Sequence, residues 1–344
     1  MTALLQAETP TAVASEDDFL ALIDSHFPRE HGHVVLGRGD DCAILTMPDA
    51  LCLSTDLFLE DVHFRRGYFT PAEIGHKALA VNVSDIAAMG GDPLGFSLGL
   101  MVPPGLPREF WDALFTGMAA HAAAHGLALT GGDLSRAPLL GFSVTIWGRP
   151  FPGRPLLRRG PVQPGDRLVV LGPSGQLGLA RQGLRLLEAH DREALADWPA
   201  CTAAHLMPEP QVAAGRTLAA VQGVHGCMDL SDGLARDLPR LLTFGQAPGL
   251  VPGARLELDA SMLHPELLAA CAAAGLDPVA EAFLGGEDYA LLAAVDPAAM
   301  PALRHAAAAL PAALLDLGEV TAAPGVMLNN TPMTGQGFDH FSKR

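Results

Sequence analysis

Between Gly148 and Asp166 the chain reads GRPFPGRPLLRRGPVQPGD, with five prolines and four glycines. No helix or strand propagates through that density of breakers, because proline removes a backbone donor and glycine favours no single conformation. The segment splits 344 residues into two pieces, each of ordinary domain size. The sequence therefore predicts domains over 1–148 and 149–344, and two domains imply a cleft.

Both pieces alternate short apolar runs with helical patterns. A first helix is expected from Glu16 to Phe27, capped by Ser15, and CAILTM, ALCLST, FSLGLMV and LLGFSVTIWG have the character of strands. Ala72 to Met89 and Arg108 to His125 space their apolar residues as helices do. The second piece opens with RLVVLG and a glycine turn, continues with helices around Leu177 to Ala189 and Gln211 to Gln222, and adds GCMDLS and YALLAAV as strands. The alanine-rich runs ELLAACAAAGL and ALRHAAAALPAALL read as helices by propensity. The fold class is α/β, or α+β, in each domain.

Hydrophobic residues at 49% against 17% charged ones supply enough apolar surface for packed cores. The net charge of −16, with Lys77 and Lys343 as the two lysines, argues against nucleic acid as a partner. Five cysteines without CxxC spacing suit a reduced compartment. No apolar run approaches the ~18 residues that span a bilayer, and the N-terminus lacks a basic stretch followed by an apolar one. A cytoplasmic protein with no membrane partner is the expectation.

The aspartates carry the functional signal. They fall in Gly39-Asp40-Asp41, Ser54-Thr55-Asp56, Asn82-Val83-Ser84-Asp85, Gly131-Gly132-Asp133 and Asp229-Leu230-Ser231-Asp232-Gly233, most of them following or interrupting apolar runs. A carboxylate there is costly unless it is paired, hydrogen-bonded or bound to a metal. Each motif alone is a common turn or helix cap; five together favour a site for a hard cation, magnesium before calcium. Carboxylates within about 4 Å repel by roughly 4 kcal/mol at an effective dielectric near 20, so magnesium should stabilise the fold. There is no GxxxxGK[ST] loop and neither HRD nor DFG, and Gly172 to Gly178 reads as a turn. His63, in LEDVHF, reads by itself as a histidine filling a polar niche.

Taken in order, GRGDDCAIL, LSTDLFLEDVHF, HKALAVNVSDIAAMGGDPLG, LTGGDLSR, RRGPVQPGD, MDLSDGLARDL, GGEDYALL and GFDHF resemble the motif series of the thiamine-monophosphate kinases over nearly the whole chain. The resemblance implies a two-domain aminoimidazole ribonucleotide synthetase-like fold and a homodimer joined through the N-terminal sheets. It implies ATP as co-substrate, thiamine monophosphate as acceptor and several Mg2+ ions. By motif, Asp41, Ser54, Thr55, Asp56, Asp85, Asp133, Asp229 and Asp232 would hold magnesium. Gly132, Asp133, Arg158 and Ser231 would contact ATP, and His63 and Glu287 would face thiamine monophosphate. In-line attack by a substrate phosphate oxygen on the γ-phosphorus would need no side chain as general base. Two positions depart from the family: Leu134 stands where threonine is usual, and Gly335 aligns where a substrate-stacking tryptophan is common, with Phe338 the nearest aromatic residue.

Overall fold

The structure is a computed structural model that describes residues 13, 15–38, 42–47 and 50–333. Its contacts divide the chain into a first unit, Met1–Met47, Thr55–Leu79 and Leu94–Thr145, and a second, Pro48–Ser54, Ala80–Pro93 and Ile146–Arg344. Asp41, Gly335 and Phe338 lie outside the described residues.

The N-terminal half runs α1 (Glu16–His26), β1 (Val34–Leu36), β2 (Ile44–Leu45), β3 (Cys52–Leu59), α2 (Pro71–Ala88), β4 (Gly91–Val102), α3 (Arg108–His125), β5 (Ala128–Arg136) and β6 (Gly141–Pro150). The start of α1 is fixed by a reciprocal cap: Asp18 N donates to Ser15 Oγ at 3.1 Å and Ser15 N to Asp18 Oδ2 at 3.0 Å. Phe19 on α1 meets Trp111 on α3 edge-on, with ring centroids 5.0 Å apart. The long strands form a sheet in the order β3-β6-β4-β5, in which β4 and β5 run parallel and set Leu98 opposite Gly132 and Gly99 opposite Asp133.

The C-terminal half runs β7 (Arg167–Gly172), α4 (Leu179–Ala189), α5 (Pro199–Leu206), α6 (Val212–Ala220), β8 (Val224–Asp229), α7 (Leu234–Thr243), β9 (Gly253–Leu256), α8 (Pro265–Ala274), α9 (Pro278–Leu284), β10 (Leu291–Val295), α10 (Met300–Ala307), β11 (Ala313–Thr321), β12 (Val326–Leu328) and β13 (Thr331–Met333). Its seven-stranded sheet has the order β13-β12-β9-β11-β7-β10-β8. Along β10 and the residue before it, Ala290, Leu292 and Ala294 join one core and Leu291, Ala293 and Val295 the other. A strand covered on both faces has no polar side to show, which is why YALLAAV reads as an unbroken apolar run.

Three elements differ from the sequence reading. ALRHAAAALPAALL is helical only to Ala307; Pro311 stops the helix, and Ala313 to Leu315 pair with β7 as the start of β11. CAILTM shrinks to the two residues of β2. The polar, glycine-bearing ALTGGDLSR forms β5, an element that its composition hides. Among the described residues no single helix is long and apolar enough to cross a membrane.

Candidate active site

In the second unit the acidic residues gather at the C-terminal end of β8. Asp229 is its last residue and is 5% exposed. Its Oδ2 accepts a hydrogen bond from Ser84 Oγ at 2.7 Å. Ser84 and Asp85 sit on α2, and Ser54 Oγ on β3 donates to Asp85 Oδ2. Burial, and next the neighbouring Asp85 charge, push the Asp229 carboxyl up to about 7.

The loop after β8 is tied to α7. Asp232 N donates to Asp237 Oδ2 at 2.9 Å, and Arg240 Nη1 reaches Asp232 Oδ2 at 2.7 Å and Asp237 Oδ1 at 2.8 Å. Asp237 is fully buried, and burial lifts its carboxyl to about 6. A second loop, 285–289, lies against this one: Glu287 N donates to Ser231 O and Tyr289 N to Leu230 O, both at 2.8 Å. Gly233, at φ 92°, makes that contact possible, because a Cβ there would stand 1.9 Å from Gly285 O. Glu287 takes a positive φ of 63°, and its Oε2 lies 2.8 Å from His205 Nδ1. Arg158 is exposed and its carbonyl accepts Cys227 N at 2.6 Å, while it is the adjacent Arg159 whose charge acts on Asp229.

The first unit holds the other predicted residues. Thr55 Oγ1 shares a hydrogen bond with Thr145 Oγ1 at 2.9 Å, and Asp56 is the next residue on β3. Ser135 Oγ donates to Asp133 Oδ2 at 3.0 Å. Gly132 allows β5 to approach β4, since a Cβ there would lie 1.9 Å from Leu98 O. Gly132 and Asp133 line a cavity of about 260 Å3 together with Arg38, Leu98 and Thr130. His63 Nδ1 accepts Leu59 N at 3.0 Å, so the neutral ring carries its proton on Nε2 and presents a donor there.

The structure thus brings together Ser54, Asp85 and Asp229 in one group and Ser231, Asp232 and Glu287 in adjoining loops. Asp56 and Asp133 lie within strands and Asp85 within a helix, so only Asp229 among these ends a strand. Among the described residues no three His, Cys, Asp or Glu side chains already stand as a metal cage. The sequence assigns no role to Asp237, Asp288 or His205, although the first two lie within MDLSDGLARDL and GGEDYALL. Asp237 had a legible signal: in LARDLPRLL it occupies the helical face of Leu234, Leu238 and Leu241, where a carboxylate needs a reason.

This fold is that of the AIR synthase related proteins: residues 39–149 match the model of their N-terminal domain and residues 163–329 that of their C-terminal domain. Within that class the chain belongs to the thiamine-monophosphate kinase family. It is 33% identical to thiamine-monophosphate kinase of Escherichia coli K12 over 345 residues, covering 94% of this chain and 98% of that one. The crystal structure of thiamine-monophosphate kinase from Stenotrophomonas maltophilia K279a superposes with a TM-score of 0.78 at 30% identity, covering 92% of this chain and 96% of that chain. AaThiL complexed with AMPPCP and TMP superposes with a TM-score of 0.72 at 26% identity, covering 95% and 97%.

Proposed function

We infer that this chain transfers the γ-phosphoryl group of ATP to the phosphate of thiamine monophosphate, releasing ADP and thiamine diphosphate. The observation that carries the chemistry is the buried Asp229, which feels the charge of Asp85, with a serine hydroxyl donating to each carboxylate. Two carboxylates in that position oppose each other until a hard cation lies between them, and oxygen donors of this kind suit magnesium. Asp41, Ser54, Thr55, Asp56, Asp85, Asp133, Asp229 and Asp232 would hold several Mg2+ ions. Bound there, magnesium supplies neutralisation of charge on the transferring phosphoryl group.

Gly132, Asp133, Arg158 and Ser231 would address ATP, the arginine through its fixed fork of donors. His63 would donate from Nε2 to the substrate phosphate, and the Glu287 carboxylate would accept from the substrate rings. The attacking oxygen belongs to a phosphate already largely ionised near neutral pH, so the chain needs to position it rather than deprotonate it. Functionally, residues 1–148 would carry the nucleotide, metal and dimerisation surfaces, and residues 149–344 would complete the site.

ADP release should require thiamine monophosphate and fall about a thousandfold when EDTA removes magnesium. Melting followed by calorimetry should rise on adding Mg2+ back. ADP formation that is equally fast without thiamine monophosphate would contradict the acceptor, and turnover indifferent to EDTA would contradict the metal.

A cytoplasmic homodimer completes the reading. β3 ends its sheet, and its alternation leaves Leu53 63% and Leu57 53% exposed on one face, an apolar edge that a second copy would cover. Leu57→Arg should halve the sedimenting mass at micromolar concentration. A wild-type protein that sediments as a monomer would refute the dimer.

A further inference from the structure

We propose that His205 is a positioning residue, which aims the Glu287 carboxylate at the substrate; the proposal rests on the reading of Glu287 as substrate-facing. His205 lies on α5, is 1% exposed, and places Nδ1 at 2.8 Å from Glu287 Oε2. An ionised carboxylate only accepts hydrogen bonds, so the shared proton resides on Nδ1 and the imidazole donates it. A hydrogen bond from a buried ring fixes one rotamer of a side chain that would otherwise sample several.

The surrounding chain is built to hold that geometry. Glu287 is 27% exposed and sits in the left-handed region, a conformation that a non-glycine residue keeps only when its neighbours enforce it. Its N–H is spent on Ser231 O at 2.8 Å. The next residue, Asp288, turns the opposite way: it is 1% exposed, and its two carboxylate oxygens accept Gly178 N at 3.0 and 3.2 Å. Gly178 is the residue from which α4 starts. That helix packs so closely on α5 that a Cβ on Gly183 would lie 2.0 Å from Cys201 O and 3.2 Å from His205 Cβ.

One packed helix pair therefore grips both acids of the Gly-Glu-Asp-Tyr loop. Asp288 is anchored inward through the start of α4, and Glu287 is turned outward through His205 on α5. An acceptor held in advance spares the substrate the cost of ordering it, which improves binding of a ligand that offers N–H donors.

The test is steady-state kinetics on the full-length protein with ATP and thiamine monophosphate. His205→Leu removes the donor and should raise KM for thiamine monophosphate about tenfold while leaving KM for ATP unchanged. His205→Asn puts an amide N–H near the Nδ1 position and should stay within about twofold of wild type, whereas His205→Gln, whose amide reaches the Nε2 position, should behave like His205→Leu. These two polar variants carry the comparison if the leucine variant does not fold. In a Glu287→Ala background the added effect of His205→Leu should vanish, because no acceptor is left at position 287 for the histidine to aim.

Glu287→Gln with an unchanged KM for thiamine monophosphate would overturn the reading of Glu287 itself. Glu287→Gln with a raised KM, combined with equal behaviour of the asparagine and glutamine variants or with multiplying effects in the double variant, would overturn the role of His205.

Discussion

Replacing Asp229 with asparagine is expected to lower turnover by about a thousandfold, since it removes a charged oxygen from the proposed magnesium site, and each fold of ten is worth about 1.4 kcal/mol. The same substitution should stabilise the metal-free protein. The Asp229 carboxyl is held at about 7 against an ordinary 3.8, chiefly by burial and then by Asp85. Between those values the folded chain keeps a proton that the unfolded chain has released. The contribution of Asp229 to stability is therefore complete below pH of about 4 and is lost as the pH rises through about 7. At pH 8 without magnesium the Asp229→Asn variant should melt about 5 °C higher than wild type. At pH 4 the two should melt together. A variant that is inactive and also less stable at pH 8 would show that Asp229 is a structural residue, and an active one would remove it from the metal site.

Gly233→Ala is expected to cost at least about 3 kcal/mol of stability and to take activity down about a hundredfold. Two effects combine there: the backbone stands at φ 92°, and the new Cβ would meet Gly285 O at 1.9 Å. The carbonyl belongs to the loop that carries Glu287, so relief of the clash displaces Glu287, proposed to face the substrate, as well as Ser231. Gly275→Ala is the control: its φ is also positive, at 67°, but nothing lies within 4 Å of its Cβ. That variant should lose only about 1 kcal/mol and keep its activity. Denaturant titration and initial rates separate the cases, and equal stability of the two variants would mean that the apposed loops tolerate separation.

The acidic motifs were legible in the sequence because buried charge is costly whatever the fold. Asp229 interrupts GCMDLS and Asp85 interrupts a helical apolar pattern, and both prove buried or half-buried beside serine hydroxyls. The α3 boundaries, Arg108 and His125, were readable because the apolar period is regular and Gly126 follows in the left-handed conformation that ends a helix. β5 was not readable, since its LTGGDLSR residues are chosen for close approach to β4 and for the cavity beside Asp133 rather than for strand propensity. His205 was not readable either. Its partner lies 82 positions along the chain, in the loop before β10, and tertiary packing brings the two together.

The γ-phosphoryl group of ATP is proposed to pass to thiamine monophosphate at this carboxylate site. The most direct measurement follows thiamine diphosphate and ADP together, from ATP and thiamine monophosphate with magnesium, for the wild type and for Asp56→Ala and Asp229→Ala. One ADP per thiamine diphosphate is expected in the wild type, with a loss of both products in the two variants. ATP bound or hydrolysed without thiamine diphosphate, or variants as active as the wild type, would contradict it.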